Sequence, residues 1–262
     1  LRFREFKLGL PTTHVALCAW VRHNFLKAMR IAESHGFTVL HGLVDSLYIH
    51  KPNLKEQDVK AVIKEIESKT GIPIELEGIF KWIVFLPSIN DPHRPVATRY
   101  YGAFKTGGFK IRGIEARQAG QPRFVRTFQE SCIAYLSRYA AENLEQGIDA
   151  IYASARTLLR RLHELDANQL SHRIVISKTE YDRDIPQKRI VQALKEQGCI
   201  VRPGMRVRYV MSAAGPVLPQ AYQGLPDTNH YRRLLVRALF GMFQPLGITR
   251  EEVELQLRGE KQ

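Results

Sequence analysis

The chain has 262 residues, 44% hydrophobic and 25% charged, the proportions of a soluble globular protein with room for one large domain or two ordinary ones. No apolar run reaches the length of a membrane span and no signal peptide opens the chain, so a cytoplasmic protein with no membrane role is expected. A net charge of +13 favours a polyanionic partner, nucleic acid first.

The basic excess runs through the whole chain. Up to Arg117 there are 18 basic and 11 acidic residues; beyond it there are 21 and 15. Of those later 21 basic residues, 17 are arginine, the better fork for phosphate. The first residue is Leu1 rather than Met, as in a piece of a longer protein. Cys18, Cys132 and Cys199 are far apart with apolar neighbours, which predicts reduced core thiols and no zinc site.

Thr13 is expected to cap a first helix ending at Gly36, with Leu17, Val21, Phe25, Ala28 and Ala32 forming one apolar stripe. Residues 37–50 read as two short strands around a tight turn that carries Asp45. Asn53 and Glu56 offer a capping box for a second helix, whose Val59, Val62, Ile63 and Ile66 face inward and which stops at Gly71. Strands follow at 74–77, 81–86, 98–104 and 108–114. Residues 1–117 therefore read as an antiparallel sheet backed by two helices, an α+β arrangement. A linker over 118–122 leads into a mostly helical part with a small sheet, residues 118–262. Its helices start at Pro122, after Gly147, at Pro186, at His230 and at Thr249, and its strands lie at 173–177 and 207–211.

Several residues are candidates for chemistry. Asp45 at the hairpin tip suits a hard cation such as Mg²⁺, or a plain turn in which the carboxylate bonds its own backbone. Glu75 and Glu77, two apart on a strand, share a face and read as a second ligand pair or as a solvated edge. Thr98, Arg99, Tyr100 and Tyr101, followed by Lys110, Arg112 and Arg117, interleave rings with cations, as a nucleic-acid track does. The alternative for the two tyrosines is ordinary strand packing. The histidines show no ligand pair at helical spacing, and no phosphate-cradling glycine loop or Ser/His/Asp arrangement stands out.

Four ordered stretches together resemble the later palm and the thumb of a family B DNA polymerase. Gly42-Leu43-Val44-Asp45-Ser46 is similar to the third catalytic motif, tyrosine-glycine-Asp-Thr-Asp-Ser. Thr98-Arg99-Tyr100 resembles the Lys/Thr-x-Tyr motif at the primer end. Arg112-Gly113-Ile114-Glu115-Ala116-Arg117 resembles the Lys-Gly-x-Glu-x-x-Arg segment between palm and thumb. Arg202-Pro203-Gly204-Met205-Arg206-Val207-Arg208-Tyr209-Val210 resembles the thumb segment, proline-glycine-Asp-x-Val-x-Tyr-Val. Residues 1–6 resemble the strand leading into the palm helix, and Lys7 is no convincing stand-in for the triphosphate-binding lysine of the fingers.

The resemblance implies a DNA-directed DNA polymerase that uses primer–template DNA, deoxynucleoside triphosphates and two Mg²⁺ ions. Asp45 falls on the second acid of its motif, which bridges both ions, and Glu75 and Glu77 on accessory acids. Thr98 and Tyr100 fall on primer contacts, and Arg99 between them counts as DNA-binding; Lys110, Arg112, Arg117, Arg206 and Arg208 fall on duplex backbone contacts. In the two-metal scheme one ion activates the primer hydroxyl and the other neutralises the triphosphate. Leu43 and Val44 depart from the motif at its first Asp and its Thr. The exonuclease, the fingers and the first palm motif are to be supplied in cis or by a separate subunit, and the chain alone is expected to be inactive. The alternatives are a catalytically inactive homologue kept as a DNA-binding module, and a basic RNA-binding domain of unrelated fold.

Overall fold

A computed structural model describes residues 10–88, 91, 94–139 and 143–258. The segment expected over residues 1–6 and Lys7 lie outside the described residues. The fold is α+β: eight α-helices and three small antiparallel sheets among the described residues. The chain divides into two compact units, Leu1–Gly78 and Ile79–Gln262.

The first unit holds helix α1 (Pro11–Ser34), strands β1 (Thr38–Leu43) and β2 (Ser46–His50), and helix α2 (Glu56–Thr70). Helix α1 opens at Pro11, not at a Thr13 cap, because proline's fixed φ suits the first helical position. Gly36 and Gly71 end the two helices with left-handed φ of +78° and +69°, as the sequence predicts. Helix α2 is capped by Asp58, which accepts from the Lys55 amide at 3.0 Å, in place of the expected Asn53–Glu56 box. The core gathers Ile31, Ala32, Phe37, Val62 and Ile66, with Leu47 and Ile49 of the hairpin packed against them. Residues 74–77 form no strand: Pro73 breaks the run, and the Ile74 amide is held by the Glu67 carboxylate at 2.8 Å. The hairpin is a two-stranded sheet of its own.

The second unit begins with a three-stranded meander of β3 (Phe80–Pro87), β4 (Pro95–Phe104) and β5 (Phe109–Arg112). Helices α3 (Arg123–Tyr139) and α4 (Leu144–Arg160) follow. Gly147 lies inside α4 and does not break it; a Cβ there would stand 3.0 Å from Tyr139, so the glycine permits the close helix contact. A short helix α5 (Ala167–Leu170) leads to β6 (His172–Val175), then α6 (Pro186–Glu196), β7 (Arg206–Ser212) and β8 (Gly215–Val217). Helices α7 (Thr228–Phe243) and α8 (Arg250–Arg258) end the unit. Leu86, Tyr101 and Ile114 from the meander share one core with Phe128 and Cys132 of α3, Ile151 of α4, Leu239 of α7 and Val253 of α8. A second cluster joins Ile176, Ile190, Leu194, Val207 and Tyr209 around the β6–β8 sheet.

Of the three cysteines only Cys132 is a core thiol, its pKa raised by burial; Cys18 and Cys199 are exposed. The sequence reading failed at those two because apolar neighbours do not fix which face of an element a residue takes. No described helix is long and apolar enough to cross a membrane.

Candidate metal hairpin and nucleic-acid interface

The hairpin turns through only two residues, Val44 and Asp45, because Leu43 pairs with Ser46 in the β1–β2 ladder. Val44 takes φ +52°, a left-handed conformation that a β-branched side chain resists. The Asp45 amide donates to the Leu43 carbonyl at 2.6 Å, which tightens the turn. The Asp45 carboxylate is exposed and accepts from the Ser46 hydroxyl at 3.3 Å. Gly42 lies so close to α1 that a Cβ would stand 2.6 Å from the Phe25 ring. A bare glycine is thus needed for the hairpin to seat on its helix.

Magnesium takes octahedral oxygen coordination and needs several carboxylate or water ligands. The described residues contain no group of three or more His, Cys, Asp or Glu side chains placed to hold a metal. Glu75 and Glu77 are exposed on an irregular segment and do not gather with Asp45 into such a cluster. Leu43 has no oxygen to offer. The described residues therefore do not fit a two-metal centre by themselves.

On the meander the ladder pairs Tyr100 with Arg112 and Gly102 with Lys110. Thr98, Tyr100, Lys110 and Arg112 consequently share one sheet face, since side chains alternate along a strand. Thr98 and Arg112 are exposed there, while Tyr100 is only 1% exposed and its ring sits 5.7 Å from Phe85. Arg99 points the other way and donates to the Pro87 carbonyl at 3.0 Å. Arg117 is exposed just beyond β5.

Gly113 ties two of the sequence motifs together. Its φ is +67°, and a Cβ would stand 2.2 Å from the Thr98 carbonyl oxygen. Beside it Glu115 is 3% exposed. Glu115 accepts from the Gln129 amide at 3.1 Å and pairs with the Arg237 guanidinium at 3.3 Å. Gln129 also donates to the Ala238 carbonyl at 3.0 Å and accepts from the Ala116 amide at 2.6 Å. A Cβ at Gly241 would meet an Arg99 guanidinium nitrogen at 3.5 Å and a Glu115 oxygen at 4.0 Å. One buried polar junction thus joins the end of β5 to α3, α7 and the base of the Thr98–Tyr100 strand. In the sequence Glu115 is only one letter of the palm–thumb stretch; its burial comes from α3 and α7, which no local pattern shows.

Farther along, β6 and β7 pair so that Arg173 faces Arg208 and Val175 faces Arg206. Arg206 and Arg208 are exposed on the outer face, and the Arg208 guanidinium donates to the Asn168 side chain at 3.3 Å. The inner face carries His172, stacked on Tyr209 at 5.0 Å and 2.9 Å from the His230 ring nitrogen. Two imidazoles at that distance need one donor and one acceptor, so at least one is neutral. Burial pushes His172 down to about 4, and the neighbouring His230 adds to the shift. Along the outer side of α3, Arg123, Thr127, Ser131 and Arg138 line a groove of about 880 Å³ shared with α4 and α5.

No protein-family model matches the chain. The DNA polymerase of Archaeoglobus fulgidus is 24% identical over 213 residues, covering 79% of this chain and 25% of that protein. DNA polymerase 1 of Sulfurisphaera ohwakuensis is 21% identical over 212 residues, covering 79% and 23%. The solved structure of the family B DNA polymerase from the hyperthermophilic archaeon Pyrobaculum calidifontis superimposes with a TM-score of 0.58 at 19% identity, covering 88% of this chain and 29% of that one. The resemblance to the family B DNA polymerases is borne out. The chain spans about a quarter of the length of the curated relatives it matches. The shared fold takes in most of this chain, so the polymerase-like stretches sit within a polymerase-like framework and are not isolated matches.

Proposed function

We propose that this chain is the palm and thumb portion of a family B-like DNA-directed DNA polymerase, with the palm up to residue 117 and the thumb over 118–262. Its work is to hold primer–template DNA in the cytoplasm. The observation that carries the reading is Gly113 pressed against the Thr98 carbonyl. It makes the primer-end stretch and the palm–thumb stretch one built unit, with exposed Thr98 and Arg112 on one face. Thr98 would touch the primer strand; Tyr100, being buried, would support it from beneath. Lys110, Arg112, Arg117, Arg206 and Arg208 would meet backbone phosphates, contacts that position a duplex without reading its sequence. Arg99, turned toward the Glu115 junction, would act as a positioning residue.

In this reading Asp45 is one ligand of a divalent ion, with Glu75 and Glu77 as weaker accessories. The remaining ligands, the triphosphate site and the exonuclease come from polymerase parts outside this chain, in cis or as a separate subunit. The chain by itself is expected to bind a primer–template duplex and to give no extension with Mg²⁺ and deoxynucleotides. Extension by this chain alone would sink the division of labour; failure to bind duplex DNA would sink the polymerase reading.

Leu43, set in the ladder opposite Ser46, favours a second reading: an inactive homologue kept as a DNA-binding module. Asp45→Ala in a polypeptide carrying the remaining polymerase motifs separates the two. Unchanged extension means that Asp45 is no ligand and leaves the binding module.

A further inference from the structure

The outer face of the β6–β7 sheet breaks a rule of sheet stability. Like charges directly opposite on neighbouring strands repel, and most folds avoid them or bracket them with acids. Here Arg173 and Arg208 are direct cross-strand partners, and Arg206 lies two residues along from Arg208 opposite Val175. All three arginines are exposed, and Val175 between them is 57% exposed. Among the described residues none of the three arginines is in an ion pair. The nearest polar partner is neutral: Asn168 accepts from Arg208 at 3.3 Å. The carboxylate on that short helix, Asp166, is already committed to the Gln169 amide at 2.7 Å.

The inner face explains why the arginines cannot simply turn away. His172, Val207 and Tyr209 are buried beneath, so alternation fixes residues 173, 206 and 208 outward. The backbone of residue 173 is pinned as well, its amide donating to the Gly120 carbonyl at 3.2 Å. The result is a sheet face that carries three guanidinium groups with no ion-pair partner among the described residues. No aromatic or amide side chain on β6 or β7 shares the outer face to read a base edge.

We propose that Arg173, Arg206 and Arg208 form a phosphate clamp that grips successive backbone phosphates of one strand of the bound DNA duplex. Arg173 belongs to none of the motif-like stretches and is the new member. The spacing fits: an antiparallel strand rises about 3.4 Å per residue, so Arg206 and Arg208 leave the sheet about 7 Å apart, the scale of neighbouring phosphates along one DNA strand. Arg173, across the ladder, closes on the phosphate held by Arg208. Planar forks bind phosphate oxygens in pairs, so the clamp is indifferent to sequence. This rests on the reading of the chain as a DNA-holding polymerase portion, and it assigns one duplex strand to this sheet.

The test uses the full chain, a fluorescent primer–template duplex and a salt series, with Arg173→Gln, Arg208→Gln, the double variant, and Arg250→Gln, paired with Glu254 on α8, as a control. Each clamp variant should weaken binding about tenfold and lower the slope of log affinity against log salt by about 1, the double variant by about 2. Arg173→Gln should at the same time raise the melting temperature by about 1–3 °C, because the cross-strand repulsion is relieved. Opposite signs in binding and stability are the signature of a clamp. Wild-type binding with slopes unchanged in the double variant overturns the clamp and leaves the polymerase reading standing. No wild-type binding at about 50 mM salt overturns both.

Discussion

In the first unit the candidate acid stands in the open. Asp45 rests on an exposed turn, and its one described side-chain contact is a hydroxyl at 3.3 Å. In the second unit Glu115 is sunk to 3% exposure and locked to Gln129 and Arg237. The contrast is between an acid left open to solvent and an acid already consumed by the fold. The first can be removed at little cost to stability; the second cannot. Strain is distributed in the same way. The hairpin turn carries a left-handed valine, whereas the second unit uses a glycine where the backbone must pass closest, at Gly113.

The largest effect that would sharpen this contrast is at Gly113. An alanine there must overlap the Thr98 carbonyl in a left-handed backbone, and Gly113→Ala should cost roughly 2–5 kcal/mol. Gly107→Ala, also at positive φ but with nothing within 4 Å, should cost about 1 kcal/mol. Equal urea midpoints for the two variants would remove the argument for a built junction. Next comes acid. His172 has its pKa depressed to about 4 by burial, so the unfolded chain binds a proton that the folded chain refuses between about 6.5 and 4. Its contribution is intact above pH ~6.5 and falls away as the pH drops through that window, by up to about 3 kcal/mol. His230, also depressed by burial, pulls in the same direction. A flat stability profile between pH 7 and 4 in the wild type, or the same slope in His172→Gln, would contradict this.

Glu115→Ala should cost about 2 kcal/mol, since it strips one partner from the Gln129 amide and from a half-exposed guanidinium. Glu115→Gln keeps an acceptor and should recover part of that loss. Val44→Asn reverses the sign: asparagine tolerates left-handed φ, so the hairpin should gain about 1 kcal/mol, read as slower amide exchange at Leu47 and Tyr48. Asp45→Ala should change stability by less than about 0.5 kcal/mol. A larger loss would mean that the turn, and not a ligand, explains the acid.

The helices and the hairpin were legible because their signals are local. Apolar spacing marked α1 and α2, and Gly36, Gly71 and Gly198 marked stops that the backbone realises with positive φ. The candidate site was legible only as far as its elements. Alternation suggested a strand at 74–77, but a strand needs a partner, and Glu67 holds that segment instead. The facing of Arg173 and Arg208 depends on a register between residues 35 positions apart, which no local pattern encodes. Glu115 looked like any surface acid until α3 and α7 closed over it.

The cysteines have a practical consequence. Thiol dyes react with thiolates, and burial drives the Cys132 pKa far above its ordinary value while the side chain is sealed from solvent. Cys18 and Cys199 are exposed, one in each compact unit. The unmodified chain therefore carries its own pair of labelling points. A thiol dye will therefore mark one point in each unit and spare Cys132, with no residue replaced.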